Sequence, residues 1–217
     1  MKYDFLLFDM DGMLVDTREG ILKCAAHALS AFGIEVEDLS SLTKFVGPPL
    51  SYSFTEFYGL SPEDAKKAVG IYRERYSAKG QYECYVFDGV PEMLQALLAK
   101  GYRLCIATSK LESYAKSMLD RLGIGCYFEQ VIGATPDEAI STKDQVIEAS
   151  LARMGISDRQ RALMIGDRKH DVLGAVKCGL DSFGVYMGCA EAGEHEAAGA
   201  TYITDSIQSL KDALLAF

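Results

Sequence analysis

The chain lacks the marks of export and of membrane residence. No basic stretch followed by a cleavable apolar run opens it, and no uninterrupted apolar segment is long enough to span a bilayer. The expectation is a cytoplasmic protein with no membrane partner. Paired metal-binding residues are missing as well. The six cysteines (Cys24, Cys84, Cys105, Cys126, Cys178, Cys189) are scattered without a CxxC, and His27, His170 and His195 stand apart. Neither a disulfide framework nor a zinc site is expected, and the thiols read as unpaired and mostly buried. Positive charge is scarce: 22 Lys and Arg face 31 Asp and Glu, a formal net charge of −9, which argues against nucleic acid as a partner. A small anionic substrate stays compatible if a metal ion and one or two placed lysines supply local positive charge. Internal repeats and low-complexity tracts are absent too.

What the 217 residues do contain is organised around positions 5–14, FLLFDMDGML. This reads as a buried apolar strand that runs into Asp9 and Asp11 and then a glycine. Seen alone, the same letters describe a strand end leading into an Asp-Gly turn. From residue 17 the apolar period changes to helical, with Ile21, Leu22, Ala25, Ala28, Leu29 and Phe32 on one face and a stop at Gly33. Residues 45–50 (FVGPPL) read as a turn, followed by a short aromatic segment with Tyr52, Phe54, Phe57 and Tyr58. Ser61, Pro62 and Asp64 then open a helix that runs to about residue 79. Nothing between residues 16 and 85 resembles a buried strand, so this stretch reads as a helical unit inserted after the first strand.

Alternation of strand and helix begins at residue 86. Strands are expected at 103–108, 130–132, 162–165, 182–186 and 202–203, with helices at 91–100, 112–122, 142–154, from about 171, and at the end. The fold class is α/β, a parallel sheet with helices on both faces. In such a sheet the strand ends share one edge, so Asp9, Asp11, Thr108, Ser109, Asp167 and Asp171 converge. Lys143 is expected in the first turn of a helix, where the dipole already presents positive charge. An exposed lysine tolerates that position; beside an anion-binding edge, lysine and helix terminus would act on a phosphate together.

DMDG, the apolar strand ending in Thr108, Lys143 and GDRKHD (166–171) stand in the order of the four motifs of the haloacid dehalogenase superfamily, phosphatase branch. The whole chain resembles that family. The resemblance implies a Rossmann-like, doubly wound core formed by 1–15 and 86–217, with 16–85 as an α-helical cap. It further implies that Asp9 is the nucleophile that forms an aspartyl-phosphate, with Asp11 as acid and then base. Thr108 would hydrogen-bond the transferring phosphoryl group, and Lys143 would offset its charge. Mg²⁺ would be held by Asp9, the backbone carbonyl of Asp11, Asp167 and Asp171, the last directly or through water. Met13 stands where many relatives carry Thr or Val, and no proline follows Lys143. A calcium-loop reading of 9–16 fails for want of a closing glutamate. A hydrolytic dehalogenase is disfavoured because that chemistry uses no second aspartate like Asp11.

The loop at 44–54 resembles that of phosphoglycolate phosphatases and bacterial 5′-nucleotidase-like proteins. Lys44, Gly47 and Tyr52 are its candidate substrate contacts, with Ser109 from the core, although Tyr52, Phe54 and Phe57 equally suit the cap's own core and Lys44 suits a solvated face. No arginine stands there to hold a second phosphate. The expected partner is therefore a small phosphomonoester, a nucleoside 5′-monophosphate before phosphoglycolate, acted on by a monomer or homodimer. A β-phosphoglucomutase-like mutase and a non-catalytic phosphate-binding protein remain as alternatives. His170 reads as an exposed bystander and Cys105 as a buried strand residue.

Overall fold

In a computed structural model of the protein, which describes residues 2–137 and 139–217, the N-terminal apolar run forms β1 (Phe5–Phe8). The strand ends earlier than the apolar pattern does, because the chain turns at Asp9 rather than continuing to Leu14. A two-residue strand, β2 (Val15–Asp16), then leads to helices α1 (Arg18–Ser30), α2 (Leu50–Tyr58) and α3 (Pro62–Ala78), and the chain returns through β3 (Tyr85–Val86), the partner of β2. The polypeptide divides into two units, Asp16–Tyr85 and the remainder, which joins the N-terminal segment through Val15 to Val86–Phe217.

Within Asp16–Tyr85, α1 buries Ile21, Leu22, Ala25, Ala28 and Leu29, the stripe set by its period. Helix α3 starts at Ser61, whose hydroxyl accepts from the Asp64 backbone N–H at 3.1 Å, with Pro62 in the first turn. Helix α2 is the departure from the sequence reading, which gave no helix to the aromatic segment. Pro49 sits just outside it, where its fixed φ costs nothing, and the buried Phe54 packs edge-on against Phe45 with ring centroids 5.1 Å apart. Tertiary packing of aromatics, rather than helix propensity, holds these nine residues.

The other unit continues as α4 (Val90–Lys100), β4 (Arg103–Leu111), α5 (Glu112–Arg121), β5 (Gln130–Ala134), α6 (Lys143–Met154), β6 (Ala162–Gly166), α7 (Lys169–Cys178), β7 (Asp181–Val185), α8 (Glu194–Ala198), β8 (Tyr202–Thr204) and α9 (Ile207–Ala216). Its six strands form one parallel sheet in the order β5-β4-β1-β6-β7-β8. From β1 the chain winds outward through β4 and β5, then crosses to β6 and winds the other way. This is the doubly wound α/β arrangement, and its reversal flanks β1. Leu7, Cys105, Ala107, Ile132 and Met164 pack against Val146, Ile147 and Leu151 of α6 and Ala175 of α7. Leu6, Phe8, Leu104, Ile106, Leu163 and Ile165 alternate with them and are equally buried, so both faces of the central strands are covered.

Two boundaries differ from the sequence reading. β4 runs on to Leu111 through an irregularity after Ala107, and β7 begins one residue earlier, at Asp181. Among the described residues the six cysteines form no disulfide; Cys24, Cys105 and Cys178 are buried and Cys126 is exposed. No described helix is long and apolar enough to cross a membrane.

Candidate active site

Asp9 is the first residue past β1, and its backbone N–H still donates to the Ile165 carbonyl of β6 at 2.8 Å. The chain then folds back tightly. The N–H groups of Leu14 and Val15 both donate to the Met10 carbonyl at 3.0 Å, and Gly12 N–H donates to Val15 at 2.9 Å. Gly12 is required twice over: its φ is +84°, and a Cβ there would lie 2.2 Å from Asp167 Oδ2. The Asp-Gly turn and the acidic strand end are thus one structure. Gly166 has a similar reason, since a Cβ on it would meet the Asp171 carboxyl carbon at 2.2 Å.

Lys143 is the first residue of α6, and Gln145 closes its cap by accepting from Ser141 and Thr142 N–H at 3.0 and 3.1 Å. The lysine is not on the surface. Its side chain is buried, with Nζ 2.9 Å from Asp9 Oδ1, 2.7 Å from Asp171 Oδ1 and donating to the Ala107 carbonyl at 3.0 Å. Asp171, in the first turn of α7, accepts from Arg168 N–H at 3.1 Å. Asp167 follows β6 and is wholly buried. Its Oδ2 accepts from Cys189 N–H at 3.4 Å, and its Oδ1 has no hydrogen-bond partner.

Thr108 is buried, and its hydroxyl oxygen accepts from Lys110 N–H at 3.3 Å; Ser109 beside it is half-buried. Asp11 is buried too, with Oδ2 2.9 Å from Lys110 Nζ. The structure therefore brings Asp9, Lys143, Asp167 and Asp171 into one group and joins Asp11 to the Thr108–Lys110 segment. Lys44, Gly47 and Tyr52 belong to the Asp16–Tyr85 unit. There Lys44 is half-buried, with Nζ 4.9 Å from the ring centroids of both Phe57 and Tyr58, so it is not the solvated charge a lone lysine suggests. Gly47 has φ +105°, and Tyr52 is 49% exposed with its ring edge-on to Phe57.

Burial and crowding among the acids set the electrostatics. Asp167 is held well above the usual carboxylate range by burial and by its neighbours Asp171 and Asp9. Asp171 is pushed up to about 6 by burial, with the Lys143 ammonium pulling the other way. Burial works against the charge of Lys143, but the carboxylates of Asp171 and Asp9 outweigh it and leave its pKa raised. One ammonium thus serves three carboxylates whose oxygens lie within 4.8 Å of one another. Leaving such charge unbalanced in the interior is costly. A hard divalent cation with oxygen ligands fits the donor set, and the partnerless Oδ1 of Asp167 is where such a cation is most needed.

Sequence reasoning missed several residues around this group. Lys110 looked like part of a strand-to-helix turn. Cys189, on Asp167, carried no signal, and neither did Glu194, which accepts from the Arg168 side chain and from Lys169 N–H at 3.0 Å each. His170 is half-buried, not exposed, and burial lowers its pKa. Cys105 is the buried strand thiol its apolar neighbours suggested, pushed up to about 12 by burial.

Comparison with known proteins bears on the same residues. The model of the family described as haloacid dehalogenase-like hydrolase matches residues 6–185. A protein of Pseudomonas aeruginosa named 5′-nucleotidase is 37% identical over 214 residues, covering 99% of this chain and 96% of that protein. One of Mycobacterium tuberculosis named tyrosine-protein kinase PtkA is 36% identical over 96% of this chain and 72% of its own length. The crystal structure of a predicted phosphatase from Clostridium acetobutylicum superimposes with a TM-score of 0.97 at 41% identity, covering 100% of both chains.

Proposed function

The chain belongs to the haloacid dehalogenase-like hydrolase family and is a phosphatase of that family, and on this premise we propose that it hydrolyses a small phosphomonoester in a Mg²⁺-dependent reaction through an aspartyl-phosphate on Asp9. The observation that carries the proposal is the position of Lys143 between Asp9 and Asp171 at the edge of the sheet, with Asp167 buried beside them and lacking a cation of its own. A structural salt bridge needs one acid per lysine. Three acids around one lysine suit a site that takes up further positive charge and then an anion.

In the proposed reaction an oxygen of Asp9 attacks phosphorus as the ester P–O bond breaks, and Asp11 gives its proton to the departing oxygen. Asp11 then takes a proton from the water that displaces Asp9 from phosphorus. Thr108 and Ser109 donate to the phosphoryl oxygens, and Lys143 balances charge that would otherwise repel the incoming ester from Asp9. Asp9, Asp167, Asp171 and the backbone carbonyl of Asp11 would hold Mg²⁺, which when bound supplies the charge that lets a phosphate dianion approach carboxylates.

The Asp16–Tyr85 unit acts as the cap in this reading, with Lys44, Gly47 and Tyr52 meeting the leaving group. The positive charge of Lys44 is engaged by two aromatic rings, and the exposed ring of Tyr52 offers a stacking surface. Both features favour a nucleoside over a second phosphate, and the name of the Pseudomonas relative supports a nucleoside 5′-monophosphate ahead of phosphoglycolate.

The test is phosphate release from nucleoside 5′-monophosphates, phosphoglycolate, hexose phosphates and an aryl phosphate, each with Mg²⁺ or chelator. A preference for one ester that disappears with chelator is the expected result. Rearrangement of β-glucose 1-phosphate without release would identify a mutase, and inertness towards every ester would identify a phosphate-binding protein.

A further inference from the structure

Lys110 lies outside the motifs of the sequence, yet it touches two of the residues placed in the reaction. Its position depends on the irregularity in β4. Ala107 pairs with Ile132 and Leu111 with Ala134, so residues 108–110 of β4 stand opposite residue 133 of β5 alone. The extra length folds back on itself over Gly133. A Cβ at that glycine would lie 2.4 Å from the Lys110 carbonyl oxygen and 2.8 Å from the Glu112 backbone N, so no larger residue fits without moving the loop. The fold-back gives Lys110 two contacts. Its backbone N–H donates to Thr108 Oγ1 at 3.3 Å, and its ammonium, on a side chain only 8% exposed, is 2.9 Å from Asp11 Oδ2.

The other oxygen of the same carboxyl group, Asp11 Oδ1, is buried and has no hydrogen-bond partner. We infer that Lys110 is a positioning residue for Asp11: it holds Oδ2 and thereby leaves Oδ1 to exchange the proton in both half-reactions. A proton on Oδ2 would point at an ammonium, whereas one on Oδ1 meets no competing donor. In the first half-reaction the Asp11 Oδ1–H bond breaks and its proton passes to the ester oxygen. Meanwhile the P–O bond to that oxygen breaks and the bond from Asp9 to phosphorus forms. In the second, Oδ1 takes the proton of the attacking water, the bond to Asp9 breaks and inorganic phosphate leaves. This inference rests on the acid–base role proposed for Asp11.

The experiment compares two esters on the full-length protein in Mg²⁺: an alkyl phosphate, whose leaving oxygen needs a proton, and p-nitrophenyl phosphate, whose leaving group does not. For Lys110→Met, kcat/KM should fall about 10-fold on the alkyl phosphate and less than about threefold on the aryl phosphate, part of what general acid catalysis supplies. Lys110→Arg should restore most of the loss on the alkyl ester. Gly133→Ala displaces the backbone of Lys110 while keeping its charge, and should give the same pattern at about threefold. It stands in if Lys110→Met does not fold. Equal losses on both esters would make Lys110 a phosphoryl-binding group, and no loss on either would make it a structural one; each overturns the inference. Asp11→Asn separates the two levels of the argument. If it shows no dependence on the leaving group, the acid role itself fails; if it does and the Lys110 and Gly133 variants do not, only the positioning role fails.

Discussion

Two clusters of charge in this protein are built on opposite terms. In the Asp16–Tyr85 unit every acid of the cluster is matched. Arg75 Nη1 lies 3.0 Å from Glu83 Oε2 and donates to Cys24 Sγ at 3.1 Å, with Lys23 on the other Glu83 oxygen at 3.3 Å. Asp16 takes the Arg18 guanidinium on both oxygens and the Tyr85 hydroxyl at 2.9 Å. The Arg75 guanidinium therefore holds Glu83 below its ordinary pKa. Asp16 is also lowered, because its bonds from Arg18 outweigh the burial that opposes them. At the edge of the large sheet the balance is reversed. Three carboxylates share one lysine, and Asp167 and Asp171 are pushed upward. A cluster that holds its acids low stabilises the fold, whereas one that holds them high is retained at a cost and marks where chemistry is done.

The strongest way to break this contrast is to neutralise Asp9. Asp9→Asn should reduce phosphate release on the order of 10⁴-fold or more, the scale seen when a nucleophile is removed. In chelator its melting temperature should not fall, because one of three crowded negative charges has gone. Full activity would refute the proposed mechanism, and a large drop in stability would show that Asp9 serves the fold like the acids of the other cluster.

Removing the cation from each cluster sharpens the comparison further. Lys143→Met leaves Asp9 and Asp171 buried without a counter-charge and should destabilise the protein by about 3 kcal/mol, together with a loss of roughly 10²-fold in turnover. Arg75→Met removes a partly exposed cation and should cost about 1 kcal/mol with activity retained. Denaturant titration of both variants, beside phosphate release, reads the difference; equal costs would mean that the two clusters are alike.

The two clusters also differ in how far sequence reveals them. The α/β fold was legible because apolar runs end abruptly at polar residues, as FLLF does at Asp9 and ALMIG at Asp167. In a parallel sheet those ends share an edge. The burial of Lys143 was not legible, since a lysine in a first helical turn looks the same whether it faces solvent or two carboxylates. Lys110 was hidden for a different reason. Its place depends on Gly133, a residue of the neighbouring strand, and TSKL alone gives no sign of a chain folding back. Helix α2 was concealed by its own entry: GPP reads as a turn, and only packing of Phe54 on Phe45 shows that a helix follows. What depends on one segment could be read; what depends on two segments meeting could not.

The smallest predicted effect is a pH dependence that sets the two clusters against each other within one protein. Carboxyl groups held above the unfolded value of about 3.9 contribute stability that is present at low pH and lost as pH rises through the folded pKa. For Asp171 that loss is centred near 6. Glu83 and Asp16, held low, act in the opposite sense, and their contribution is lost only as pH falls below the ordinary carboxylate range, so they are silent between about pH 5 and 7. His170 and His195, lowered by burial, add stability as pH rises through about 6.5, but they do so with or without metal. The quantity to measure is therefore the increment in melting temperature between saturating Mg²⁺ and chelator. It should be small at pH 5, where protons compete for the acids, and should grow to about 5 °C at pH 7, corresponding to about 2 kcal/mol of binding linkage. Asp167→Asn should abolish the growth, and Glu83→Gln should leave it unchanged. An increment that stays flat from pH 5 to 7 would mean that the crowded acids of the sheet edge do not take up the ion, and the distinction between a cluster that holds the fold and one that awaits a cation would fall with it.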